Sequence, residues 1–178
     1  MLSIAPPPPQ YRALAARLTA GEFTHLFPHE YLITESVGLS AASRGIATAE
    51  VSTMRAPEGR AILGISAVLK REGANPYGSM ITIGRARNND ICVDEASISK
   101  LHAWLRRRDD EHGAVRLTIT DAGSRNGTFV DGLPVVGQPR ELAFGARVRL
   151  GSVQFWLADG AMLYRCLRAT LEAGSQAA

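Results

Sequence analysis

Asp121-Ala122-Gly123-Ser124-Arg125-Asn126-Gly127-Thr128-Phe129-Val130-Asp131-Gly132 is a run of turn formers closed by a short apolar pair. Asp121 and Ser124 suit turns held by side-chain to backbone hydrogen bonds. Asn126-Gly127 is a tight-turn signal, because both residues tolerate positive φ. An asparagine amide on such a turn offers a donor and an acceptor, which is what a peptide backbone needs. Phe129 and Val130 resume a strand, and Asp131-Gly132 turns it again. The stretch therefore reads as a strand end, an exposed polar loop and a new strand.

Outward from that loop the hydrophobic period is two. Leu63, Ile65, Ala67 and Leu69 alternate with Gly64, Ser66 and Val68. Val115, Leu117 and Ile119 alternate with Arg116, Thr118 and Thr120, and Val153, Phe155 and Leu157 do so around Gln154 and Trp156. Turn signals separate these runs at Asn75-Pro76-Tyr77-Gly78, His112-Gly113, Gly145-Ala146 and Gly151-Ser152. Short strands at such spacing predict an all-β antiparallel sandwich. The 17 glycines and nine prolines among 178 residues also favour turns over a helical bundle.

Two further signatures precede the loop. Gly84-Arg85 follows the strand-like Met80-Ile81-Thr82-Ile83, where glycine lets the chain turn out of the sheet. Arg85 then projects a guanidinium suited to two-pronged contact with phosphate oxygens. Ser99-Lys100-Leu101-His102 offers a hydroxyl donor, a cation and, with Leu101 read as core-facing, an imidazole with two readings: a ligand or base, or, favoured in a sandwich loop, a ring that pins the loop by a hydrogen bond. Separately each is weak. Together they make a pocket for one small dianion.

The termini read differently. Pro6 to Pro9 is an extended spacer, unable to join a helix. Gln10 to Ala20 reads as a helix with Tyr11, Leu14, Ala15 and Leu18 on one stripe and Gly21 at its stop. Phe23, Leu26, Phe27, Tyr31, Leu32 and Ile33 are expected to pack on the main domain or on a partner. His25 and His29 are four apart, but Pro28 between them breaks any continuous helical face, so no metal pair is assigned. A linker closes at Arg55 to Arg60. At the other end, Asp159 caps a helix with Met162, Leu163, Cys166, Leu167 and Leu171 on one stripe, ended by Gly174. The expected division is an N-terminal extension with linker over 1–60, a sandwich over 61–158, and a C-terminal helix and tail over 159–178.

Composition excludes several classes. Cys92 and Cys166 lack metal-ligand spacing, no metal or cofactor is called for, and Cys92 between Ile91 and Val93 reads as a buried hydrophobe. No apolar run approaches the length of a membrane helix and no signal peptide is evident, so the expectation is a cytoplasmic chain without a membrane partner. The net charge of +3 is mild, and Arg106-Arg107-Arg108 is followed at once by Asp109-Asp110-Glu111, a solvated hairpin rather than a nucleic-acid site. Ser99 and His102 with Asp121 form no nucleophile elbow, so no catalytic residue and no enzyme activity is assigned.

The combined pattern Gly-Arg, Ser-x-x-His and Asp-x-Gly-Ser-x-Asn-Gly-Thr-Phe-Val-x-Gly resembles the forkhead-associated (FHA) family over about residues 61 to 158. The resemblance implies a SMAD/FHA-like sandwich whose loops at one end hold a phosphothreonine. By that resemblance Arg85 and Ser99 bind the phosphate, Lys100 and Arg125 assist, and Asn126 bonds the peptide main chain. Gly84, His102, Gly127 and Thr128 shape the loops. Gly145-Ala146 stands where the family often has Gly-Asp, a change in a turn away from the pocket. The implied partner is a protein phosphorylated by a Ser/Thr kinase. The alternative is a phosphate-independent interaction or oligomerisation module on the same fold. Thr34, Thr48 and Thr53 are candidate phosphorylation sites within the extension.

Overall fold

The computed structural model describes residues 9–35, 62–109 and 114–176. The period-two segments form two sheets packed face to face. The first runs β2-β1-β11-β10-β7-β8 and the second β4-β3-β5-β6-β9. In chain order the strands are β1 (Tyr31–Glu35), β2 (Ile62–Ala67), β3 (Ile81–Gly84), β4 (Ile91–Cys92), β5 (Ala103–Asp109) and β6 (Val115–Asp121). They continue as β7 (Thr128–Val130), β8 (Leu133–Pro134), β9 (Arg140–Leu142), β10 (Arg147–Leu150) and β11 (Val153–Ala158). Three helices, α1 (Pro9–Arg17), α2 (Ala20–Leu26) and α3 (Gly160–Gln176), complete the described elements. Pairing is antiparallel except between β3 and β4.

Alternation decides the inner core. Leu117 and Ile119 of β6 are buried, while Arg116 is exposed and Thr118 and Thr120 are partly so. They meet Ala103, Leu105, Val148 and Phe155 between the sheets. In β2 the phase differs from the reading of the sequence: Val68 is buried just past the strand, and Leu69 is 39% exposed.

A second core lies outside the first sheet. Phe23 of α2 and Leu163 and Leu167 of α3 pack on Tyr31, Ile33 and Trp156. This explains why β11 is buried on both faces from Phe155 to Ala158, although Trp156 alternates in sequence with inward residues. Each fully buried side chain of this kind contributes about 1.5–3 kcal/mol, so the helical layer is integral to the fold.

The N-terminal region departs from its reading in three ways. Tyr31-Leu32-Ile33, assigned to an extension that docks, is a strand between β2 and β11, with Leu32 opposite both Ser66 and Leu157. Helix α1 starts at Pro9, the first-turn position where a missing N–H costs nothing. It stops at Arg17 because Thr19 opens α2: the Thr19 N–H donates to Glu22 Oε2 (2.9 Å) and the Glu22 N–H to Thr19 Oγ1 (3.4 Å). Such a reciprocal cap is worth about 1 kcal/mol, and it places Gly21 inside α2 instead of at a stop. The rest of the proline tract, Thr48, Thr53 and the linker lie outside the described residues. Thr34 is buried, 3% exposed, which closes it to a kinase in the folded state.

At the C-terminus Asp159 does cap α3, its Oδ1 accepting the Met162 N–H at 2.7 Å, but the helix runs through Gly174 to Gln176. The Asp131-Gly132 turn joins β7 to β8 with φ of 50° and 81°. Both central residues are left-handed, as a two-residue hairpin requires. Cys92 is partly exposed at the β4 edge, not buried. Among the described residues no helix is long and apolar enough to cross a membrane.

Candidate functional site

Ala103 of β5 pairs with Asp121 of β6 at one end of the sandwich. The same end collects the exit of β3, the entry of β7 and the β10–β11 turn. Backbone hydrogen bonds tie these loops together. The Arg85 N–H donates to Ser99 O (2.9 Å), the Ala86 N–H to Lys100 O (3.1 Å), and the Gly151 N–H to Gly127 O (3.1 Å). The predicted rim residues, distant in sequence, are thereby brought together.

Gly84 is required by a close approach, not by an unusual φ. A Cβ there would lie 2.3 Å from Lys100 O and 2.9 Å from Asn89 Nδ2. Asn89, which sequence reasoning passed over, is buried and donates to Ala86 O (2.7 Å) and Lys100 O (2.6 Å). Its neighbour Asp90 anchors the β2–β3 loop, accepting from the Thr82 N–H (2.7 Å), the Arg71 N–H (2.8 Å) and Asn75 Nδ2 (3.0 Å). Burial pushes the Asp90 carboxyl up, but these hydrogen bonds prevail and hold it well below the usual carboxylate range.

Arg85 is exposed and donates from Nε to Ile98 O (3.3 Å). That bond orients the guanidinium. Among the described residues its terminal nitrogens have no partner, and no salt bridge involves Arg85, Lys100 or Arg125, all three exposed. Ser99 Oγ accepts the Arg125 N–H (3.0 Å), which leaves the hydroxyl proton free to donate. Asn126 is exposed on its turn, and its Nδ2 donates to Ser97 O (2.7 Å). One amide hydrogen is thus committed to holding the side chain, while Oδ1 and the second hydrogen remain available. Only Gly127 of the Asn126-Gly127 pair takes positive φ, at 75°.

His102 is fully buried between the loops. Its Nδ1 accepts the Ser99 N–H (3.0 Å), which puts the ring proton on Nε2, facing Gly127 O (3.2 Å). Burial pulls its pKa down, against the smaller opposing pull of the Gly127 carbonyl and the Asp121 carboxylate. Both ring nitrogens are occupied by backbone, so the imidazole has no lone pair for the Ser99 hydroxyl. Leu101, read as core-facing, is only partly buried; His102 takes the inward place.

Asp121 organises the next loop. Its Oδ1 accepts the Gly123 and Ser124 N–H groups (both 2.8 Å), and its Oδ2 accepts Ser124 Oγ (2.7 Å) and Thr128 Oγ1 (2.6 Å). Burial pushes this carboxyl up; the four hydrogen bonds outweigh it and lower the pKa. A further residue, missed in the sequence, is Ser97. Its Oγ lies 2.8 Å from Ser152 Oγ and accepts the Ser152 N–H (3.0 Å), while its carbonyl holds Asn126. The available signal was Ser97-Ile98-Ser99: a buried isoleucine flanked by two serines that face outward.

Comparison with known proteins places this arrangement. Residues 81–151 match the family model for the FHA domain. An oxoglutarate dehydrogenase inhibitor of Corynebacterium diphtheriae is 31% identical over 122 residues, covering 65% of this chain and 77% of the relative. The chain belongs to the FHA family. A second relative, the glycogen accumulation regulator GarA of Mycobacterium tuberculosis, is 30% identical over 82 residues, 46% of each chain. Among solved structures, the FHA domain of yeast Dun1 in complex with a doubly phosphorylated peptide derived from Rad53 gives a TM-score of 0.47 at 20% identity, covering 76% of this chain and 77% of that one. The Slr1951 protein of Synechocystis gives the same TM-score and identity over 73% of this chain and 96% of its own. These FHA relatives are named as an inhibitor and a regulator, and the FHA module here is non-enzymatic.

Proposed function

We propose that the rim of this FHA module captures a phosphothreonine on a partner protein, itself phosphorylated by a Ser/Thr kinase. Phosphothreonine carries about −1.5 to −2 charge near neutral pH and three acceptor oxygens. Arg85 supplies the oriented guanidinium, the Ser99 hydroxyl donates one hydrogen bond, and Lys100 and Arg125 add charge from either side. Asn126 takes the peptide main chain beside the phosphate. The observation that carries the reading is the Arg85-Ser99-Arg125 connection: the Arg85 N–H on Ser99 O and the Arg125 N–H on Ser99 Oγ tie two cationic groups to a hydroxyl whose proton is left to donate.

Charge-assisted hydrogen bonds contribute roughly 1.5–3 kcal/mol each. Several of them, less the ordering costs, correspond to micromolar affinity, about −8 kcal/mol. The relatives' names suggest the partner's kind: a metabolic enzyme whose activity the bound module alters.

Calorimetry with one peptide in phosphorylated and unphosphorylated forms tests the proposal. The phosphorylated form alone is expected to bind, and Arg85→Ala to cost roughly 2–5 kcal/mol, because it strips a charged partner from the phosphate. Equal binding of both forms would leave only a phosphate-independent module.

A further inference from the structure

The two sheets differ in what covers them. Helices bury the outer face of β2-β1-β11, whereas among the described residues no helix lies on the outer face of β5, β6 and β9. Ala103 and Leu105 point into the core, so Trp104, Arg106 and Arg108 line the open side of β5. Trp104 lies opposite Thr120, Arg106 opposite Thr118, and Arg108 opposite Arg116. Like charges directly opposed across two strands destabilise a sheet unless other groups answer them.

Among the described residues, Glu141 of β9 meets Arg116 on the same face at 3.0 Å, both more than half exposed. Asp109, the nearest acid along β5, is turned to Arg107 at 3.9 Å. Among the described residues, Arg106 and Arg108 have no carboxylate partner.

We propose that this face is a second docking surface, apart from the phosphopeptide rim, for an extended acidic segment of a partner protein. Spacing argues for the extended form. Residues two apart on a strand lie about 6.6–6.8 Å apart, which matches alternate carboxylates of a second extended chain laid along Arg106 and Arg108. Trp104 at the head of the row supplies the apolar contact; tryptophan and arginine are the residues on which interface energy concentrates. A nucleic acid fits less well, because Trp104 is the one aromatic on the row and Glu141 stands among the cations.

The probe is a short unphosphorylated peptide of alternating glutamate and alanine, titrated at low and high salt. Trp104 is partly exposed and Trp156 buried, so a change in tryptophan emission reports Trp104; Trp104→Phe is the control. Salt-sensitive binding is expected, weakened at least about tenfold by Arg106→Glu with Arg108→Glu, tightened by Glu141→Gln, and untouched by Arg85→Ala. The neutral pair Arg106→Gln with Arg108→Gln serves if the reversal lowers the urea midpoint. Wild-type affinity in a folded double variant, or a silent Trp104, would overturn the proposal. So would tighter binding of a single-stranded DNA of equal charge, which would assign the face to nucleic acid.

Discussion

His102→Ala separates a structural from a chemical imidazole. The side chain is fully buried and serves two backbone groups, and their losses are unequal. The Ser99 N–H has His102 Nδ1 as its acceptor; stranded in a part-buried site it costs about 1–3 kcal/mol. Gly127 O keeps the Gly151 N–H at 3.1 Å, so losing the ring N–H there costs about 0.5–1.5 kcal/mol. Partial collapse of the emptied space adds about 1 kcal/mol or more. The sum is about 2.5–5.5 kcal/mol of stability, a large part of what a domain of this size has. Urea unfolding followed by far-ultraviolet circular dichroism measures it directly. Phosphopeptide titration well below the transition then shows whether a displaced Ser99 weakens capture, expected at roughly tenfold. A variant within about 0.5 kcal/mol of wild type would refute the role of His102 as the clamp of these loops.

Gly84→Ala is expected to lose about 2–4 kcal/mol in the same unfolding assay, since the new methyl meets Lys100 O and breaks its bond from Asn89; full stability would remove the close-approach account. Acid should destabilise the fold in two stages. The lowered His102 pKa means the unfolded chain binds that proton first, so stability is whole above 6.5 and falls as pH drops below it. Asp121 and Asp90, also lowered, keep their contribution above 3.8 and lose it as pH falls further. Urea midpoints across this range check both stages, and Asp121→Asn should blunt the second.

The rim was legible because its chemistry is local. Asp121, Ser124 and Gly127 announce a turn by residue type, and the turn forms wherever the chain goes. Gly84 was legible as a special position for the wrong reason: its constraint comes from Lys100 O, sixteen residues on, which no local pattern displays. Strand β1 was missed because both its faces are buried. Tyr31, Leu32 and Ile33 are then apolar in succession, and a short run of that kind has no period to read. Asn89 was invisible because a polar side chain that caps a distant carbonyl looks, in sequence, like any loop residue, and Ser97 left only the faint signal of a serine beside a core isoleucine.

The Gly127 carbonyl receives both the His102 ring and the Gly151 amide. One oxygen is therefore the junction of three segments, and none can shift without the others. A guest arriving there meets a mould already set, and little freedom is surrendered at the moment of capture. Discrimination between guests must then come from their fit to a fixed shape rather than from closure around them.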